Sequence, residues 1–341
     1  MGKLKYISYL KVIGIILVVF GHSFHQWNGV FEDTILYKVF MVMRMPLFTF
    51  TSGYTLAYCF VSRSRNRTFK EFITNKAWRL LLPFFVLNTV TFIPRALMSG
   101  IADDALELSI SSYISGLFFY QKGAIIYLWF LQMSFVCMVI TYPILLYIKN
   151  AQVRSILLYS LLLIAVYTNQ SQCLRPYQFF AINQVGNLLI FFIAGTLCGT
   201  EHKRFITAIQ WTNKSCFILC LFGWLGCFAI ATVYSLQCAS LLSSIFGIMM
   251  TLSLALIIEK KHITILDHLA GSTYMIFLLS WFANVSSQQI LHHFVELPWW
   301  IHSALSLVCG IYVPLIIHRF LESDKEKHPY KRAILFLLGH K

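Results

Sequence analysis

Acidic side chains are scarce in this chain, with 13 aspartates and glutamates among 341 residues against 27 lysines and arginines. Charged residues of both signs make up 12% of the sequence and hydrophobic residues 58%. Soluble globular chains carry roughly 25% charged residues, so this composition excludes a soluble domain. None of the acidic residues falls clearly inside an apolar run, and Asp267 stands at the edge of one. That absence argues against ion-coupled transport, which holds its coupling ions on intramembrane carboxylates. Several motifs are missing too: no Gly-rich phosphate loop, no Ser-His-Asp spacing and no metalloprotease helix can be read. The two halves show no internal repeat. Lys3 and Lys5 precede the first apolar run as in a signal peptide, but no small-residue cleavage site follows it, which reads as an uncleaved first span.

What the chain does have is apolar runs about 20 residues long, recurring from end to end. Hydropathy places spans near 6–27, 39–60, 80–98, 124–147, 153–169, 179–199, 215–235, 240–258, 270–291 and 301–320. The expected architecture is an all-α polytopic bundle of about ten transmembrane helices, with 1–320 as one membrane domain and 321–341 as a basic cytoplasmic tail. The charges support the placement. With the N-terminus inside, only Lys38, Arg95, Lys122 and Arg175 fall in outside segments and Arg44 within a span; every other lysine and arginine lies inside. This is the positive-inside pattern, and it puts both termini in the cytoplasm. It also accounts for the basic pI of about 9.4 without a nucleic-acid partner. Most cysteines sit in apolar runs and read as packing residues, Cys216 and Cys220 included. Cys173 and Cys238 fall in loops placed outside, where a disulfide could form.

The segment Lys11 to His25 is long and apolar, yet carries Lys11, His22 and His25. At about 100° per residue, Lys11, Ile15, Val18, His22 and His25 share one stripe of a helix. Ionisable groups at membrane depth are costly, so such a stripe is a functional candidate. The second span runs back inward, which sets Arg44 at a depth similar to that of His22, with Pro46 freeing a backbone carbonyl nearby. With no carboxylate at hand, Arg44 fits a hydrated cavity whose ligand brings negative charge. His292, His293 and His302 lack the companions of a metal site, and no metal is expected. The stretch from Ser62 to Pro83 is the most basic loop. Its second half reads as a short interfacial helix, serving either as a headgroup anchor or as a surface for incoming phosphates. A candidate base, His22, with candidate anion-stabilising cations, Arg44, Lys11 and Arg79, suits acyl transfer to a hydroxyl.

Motifs in order along nearly the whole chain support a resemblance. Lys11 and His22 reproduce a basic residue, ten intervening residues and a histidine. Met43 to Tyr54 reads MRMPLFTFTSGY, Phe69 to Phe85 FKEFITNKAWRLLLPFF, Tyr127 to Leu131 YLWFL and Ser272 to Trp281 STYMIFLLSW. In this order they resemble the acyltransferase 3 family, integral membrane acyltransferases that include fucose 4-O-acetylase-like members. The chain differs where the family usually has arginine (Lys11), often an acidic residue (Ser8), and histidine at three positions (Arg44, Tyr127 and Ser280). The resemblance implies an acyl-CoA donor, most often acetyl-CoA, as co-substrate, and a glycan or lipid-linked sugar hydroxyl as acceptor. It also implies residence in the bacterial cytoplasmic membrane among its lipids. His22 and Arg44 are then the catalytic candidates, Lys11 and Arg79 the candidates for CoA phosphates, and Tyr127, Trp129 and Ser280 those for the acceptor. The rival expectation is a non-enzymatic transporter or flippase of a lipid-linked glycan.

Overall fold

The computed structural model describes residues 4–24, 35–62, 67–97, 106–210, 213–261, 263–294 and 298–340. Among the described residues the chain folds into 14 α-helices and no strand. They run α1 (Lys5–Ser23), α2 (Ile35–Ser62), α3 (Phe69–Leu97), α4 (Ile110–Phe118), α5 (Trp129–Tyr147), α6 (Ala151–Ser171) and α7 (Ile182–Thr200). There follow α8 (His202–Gln210), α9 (Asn213–Tyr234), α10 (Gln237–Glu259), α11 (Thr264–Ala270), α12 (Thr273–Phe294), α13 (Trp299–Glu322) and α14 (Pro329–Leu337).

Among the described residues, eight helices are long and apolar enough to cross a membrane, and a ninth span arises if α11 and α12, bent by 86° at their junction, count as one. The protein is therefore an integral, multi-pass, all-α membrane protein. Every expected span has a long helix, but α2 falls short on hydropathy despite its 28 residues, because Arg44 and a polar run lie in its middle. The hydroxyls of that run bond back to the helix itself. Thr49 donates to the Met45 carbonyl at 2.8 Å, Thr51 and Ser52 to that of Phe48 at 2.9 Å, and Thr55 to that of Thr51 at 2.6 Å. Back-bonding of this kind lets a polar stretch stay helical away from water.

The expected short interfacial helix is not separate from the third span. Both belong to α3, 29 residues long. Its start is fixed by a reciprocal cap: Thr68 N–H donates to the Glu71 carboxylate at 3.1 Å and Glu71 N–H to the Thr68 hydroxyl at 3.3 Å. Pro83 and Pro94 lie within the same helix without ending it.

By contact the chain divides into two compact units, residues 1–55 with 198–323, and residues 56–197 with 324–341. In the first, α1 is central, packed by α10, α11, α12 and α13. Val12, Ile15, Val18 and Val19 form a buried cluster with Leu269, Ile276 and Leu315. The expected tight hairpin is present here as α9 and α10, joined through Ser235 and Leu236, with Ser235 in the left-handed region at φ 51°. In the second unit α3 packs against α4, α5 and α14. Gly339, at φ +78°, closes α14 against the Arg79 carbonyl, where any Cβ would come within 2.6 Å.

Candidate active site

The ionisable stripe of α1 turns inward. Ile15 is 1% and Val18 4% exposed, and Lys11 and His22 at its two ends are half-buried. His25 lies outside the described residues, as do the side chains of His292 and His293. The C-terminal turn of α1 receives Arg44 directly. The guanidinium packs against Gly21, so closely that any Cβ there would overlap its Nη1, and Met41 Sδ would lie 3.0 Å away. That Nη1 is buried. The structure thus brings Arg44 to the turn that carries His22, as the antiparallel depth argument expects. Pro46 removes the amide that would bond the Val42 carbonyl, and Ser244 of α10 donates to that carbonyl instead at 3.0 Å. The freed group is satisfied by a neighbouring helix.

Ser280 is buried on α12. It opens a polar row of the same helix, Ser280, Asn284 and Gln288, spaced by four residues and buried. Sequence reasoning singled out Ser280 and missed the other two. The signal was available, since an asparagine and a glutamine interrupt an apolar run at helical spacing. Both bond to the end of α1: Asn284 Nδ2 donates to the Val19 carbonyl at 3.3 Å, and Gln288 Nε2 to that of Ser23 at 2.6 Å.

The N-terminal end of α1 has other partners. Tyr9 donates to Asp267 at 2.8 Å and the Tyr6 N–H to Glu259 at 3.3 Å. Tyr6 and Tyr54 share a hydrogen bond at 2.7 Å, and Tyr54 lies 2.5 Å from His202 Nδ1 at the start of α8. Burial holds the His202 pKa below its usual 6.5, aided by the neighbouring Lys203. This end is thus not free of carboxylates. Tyr9 precedes His22 by 13 residues, about 20 Å along the helix at 1.5 Å per residue, so Asp267 does not neutralise the cation at the other end.

One further pair invites a nucleophilic reading. Ser272 and His318 Nδ1 lie 2.8 Å apart and both are buried, with Glu322 4.0 Å from the other ring nitrogen. A triad needs the acid within hydrogen-bond reach of the ring, about 3 Å, and the serine open to substrate. Neither holds, and the pair instead ties α13 to the bend between α11 and α12.

Arg79, Tyr127 and Trp129 belong to the other unit. Arg79 is exposed on α3; Tyr127 and Trp129 are half-buried where a 3₁₀ turn, Ile126–Leu128, leads into α5. The approach to this turn is pinned from α3: Asn88 accepts from the Ile125 N–H at 3.1 Å, and Arg95 donates to the Ala124 carbonyl at 2.5 Å. Tyr120, beside Trp129 at 6.3 Å between ring centres, accepts from Asn183 and Gln184 at 3.0 Å each. Sequence reading found the aromatics but not these polar supports, because their partners lie far off along the chain.

A family model for an acyltransferase domain, that of the acyltransferase 3 family, matches residues 4–319. The chain belongs to the acyltransferase 3 family. No curated protein and no solved structure matches it. The matched span takes in every site candidate named above and leaves out only the first residues and the basic tail with α14. As an acyltransferase, the protein must bring a donor carbonyl and an acceptor to one point and stabilise the charge that develops there. A half-buried imidazole one residue from a buried guanidinium contact has the chemistry for that.

Proposed function

We propose that this acyltransferase transfers an acetyl group from acetyl-CoA to a hydroxyl of a cell-surface polysaccharide, O-antigen or lipid-linked sugar, in the bacterial cytoplasmic membrane. His22 is the general base. Its imidazole takes the hydroxyl proton as the acceptor oxygen attacks the thioester carbonyl, and Arg44 stabilises the resulting oxyanion. Collapse of the intermediate breaks the carbon–sulfur bond, and the proton held by His22 passes to the departing CoA thiolate. The products are an O-acetyl ester and free CoA. Lys11 takes a CoA phosphate as a charge-assisted donor, while Ser280 contacts the acceptor. Both chain ends face the cytoplasm, where the donor is supplied.

The observation that carries this reading is the packing of Arg44 on Gly21, next to His22, in a chain whose family is that of an acyltransferase domain. Mass spectrometry of surface glycans from cells with the gene, without it, and with His22→Ala tests it. One acetyl per repeat should vanish both without the gene and with the variant, while the variant still inserts in the membrane. Loss of the whole glycan without the gene would instead indicate a flippase or polymerase. Full acetylation by the variant would refute His22 as base.

A further inference from the structure

The last carbonyls of any helix lack an intrahelical partner. At membrane depth, packed helices that meet such an end supply donors from their side chains. At the C-terminus of α1 the donors come from two other helices of the same unit. Tyr37 of α2 donates to the Gly21 carbonyl at 3.4 Å, and Gln288 of α12 to the Ser23 carbonyl at 2.6 Å. One turn lower, Asn284 donates to the Val19 carbonyl at 3.3 Å and approaches the Ser23 hydroxyl at 3.5 Å, while that hydroxyl itself donates to Val19 at 2.8 Å. α13 closes the arrangement from outside: Ser306 donates to the Asn284 carbonyl at 3.4 Å, and Gly310 lies flat against the same residue. A Cβ at Gly310 would overlap the Asn284 amide and stand 2.6 Å from Val19 Cγ1. Each of three helices therefore contributes a pair spaced by four residues: Val19 and Ser23, Asn284 and Gln288, Ser306 and Gly310.

His22 sits between the two contacts in sequence. Gly21 takes the Arg44 guanidinium and Ser23 takes the Gln288 amide. Gln288 and Asn284 are fully buried and carry no charge at any working pH, so they are unsuited to proton transfer and suited to holding a backbone still. A helix end without such ties frays, and its side chains turn with it. We infer that Asn284 and Gln288 are positioning residues for the acyl transfer, fixing the rotation of the α1 terminus so that His22 keeps its aim beside Arg44. The inference rests on His22 being the base.

The test uses full-length protein in membranes, with acetyl-CoA as the donor varied in concentration and glycan acetylation as the readout. Gln288→Ala and Asn284→Ala should lower kcat by about 10- to 100-fold, the range expected when a reacting group moves by an ångström. KM for acetyl-CoA should stay within about twofold, because donor contacts are untouched. Hydrogen–deuterium exchange should rise in the peptide ending at Ser23 and nowhere else. Gln288→Glu adds a reading that a merely structural role would not move. Its protonated carboxyl can still donate to the Ser23 carbonyl, while its carboxylate repels that carbonyl, so activity relative to wild type at the same pH should recover as pH falls and drop as pH rises. Should the alanine variants fail to insert, Gln288→Glu carries the test alone. Wild-type kcat in these variants, or unchanged exchange at the α1 terminus, with His22→Ala inactive, would overturn the positioning role. Activity retained by His22→Ala would remove the reading beneath it.

Discussion

The two ends of α1 are anchored by different chemistry. At the N-terminus, where a helix presents unpaired N–H groups and a partial positive charge, the partners are acidic or titratable: Glu259 accepts from the Tyr6 amide, Asp267 from Tyr9, and His202 meets Tyr54 beside Tyr6. At the C-terminus, where carbonyls are left over, the partners are the neutral amides of Asn284 and Gln288 and the hydroxyl of Tyr37. The contrast has a functional reading. Under the role proposed for His22, an anchor beside its imidazole must not compete for the proton, and amides do not. The far anchor is under no such constraint.

Changes at the two ends should therefore differ in kind. Among the contacts that anchor the helix, the largest effect is expected from Gly21→Ala. The new methyl displaces the Arg44 guanidinium, and we expect about a 100-fold loss of acetylation from misplacement. The atoms it meets, Arg44 Nη1 and Met41 Sδ, end flexible side chains that can swing aside, so the melting temperature in detergent should fall little. Tyr9→Phe removes only the hydrogen bond to Asp267 at the other end. It should cost about 1 kcal/mol in the same melt and leave acetylation at the wild-type level. A large activity loss there would mean that the two ends are not functionally distinct.

The smallest effect is one of pH. The folded-state pKa of His202 lies below its unfolded value of 6.5, so its contribution is fully present above 6.5 and lost as pH falls through the folded value. Melting temperature should decline on that acidic side. The decline should shrink in His202→Asn, which keeps an acceptor for Tyr54 without titrating. An equal decline in that variant would assign the acid sensitivity to other groups.

Much of this was legible from sequence because membrane helices obey simple constraints. Apolar length gave the spans, and the stripe from Lys11 to His22 did pack inward. The adjacency of Arg44 and the His22 turn followed from chain direction and rise per residue alone. What escaped has a physical cause in each case. Hydropathy averages over a window, so it could not join the basic loop to the third span as one α3 helix, nor show that the span read at 270–291 is preceded by a short helix bent from it by 86°. Local reading also sees no partner hundreds of residues away. Val19 and Asn284 are 265 apart, as are Ser23 and Gln288. Asp267 looked like an edge residue for the same reason, since its partner Tyr9 lies 258 positions earlier.

The central claim is that His22 and Arg44 act in one chemical step. A double-mutant comparison of His22→Ala, Arg44→Ala and the combined variant, scored by acetylation rate at equal membrane abundance, tests it most directly. Loss of a general base should cost about 10²–10⁴-fold. Groups serving one step are strongly non-additive, so the double variant should be no worse than His22→Ala alone. Losses that multiply, or a His22→Ala protein that still acetylates at the wild-type rate, would contradict the account.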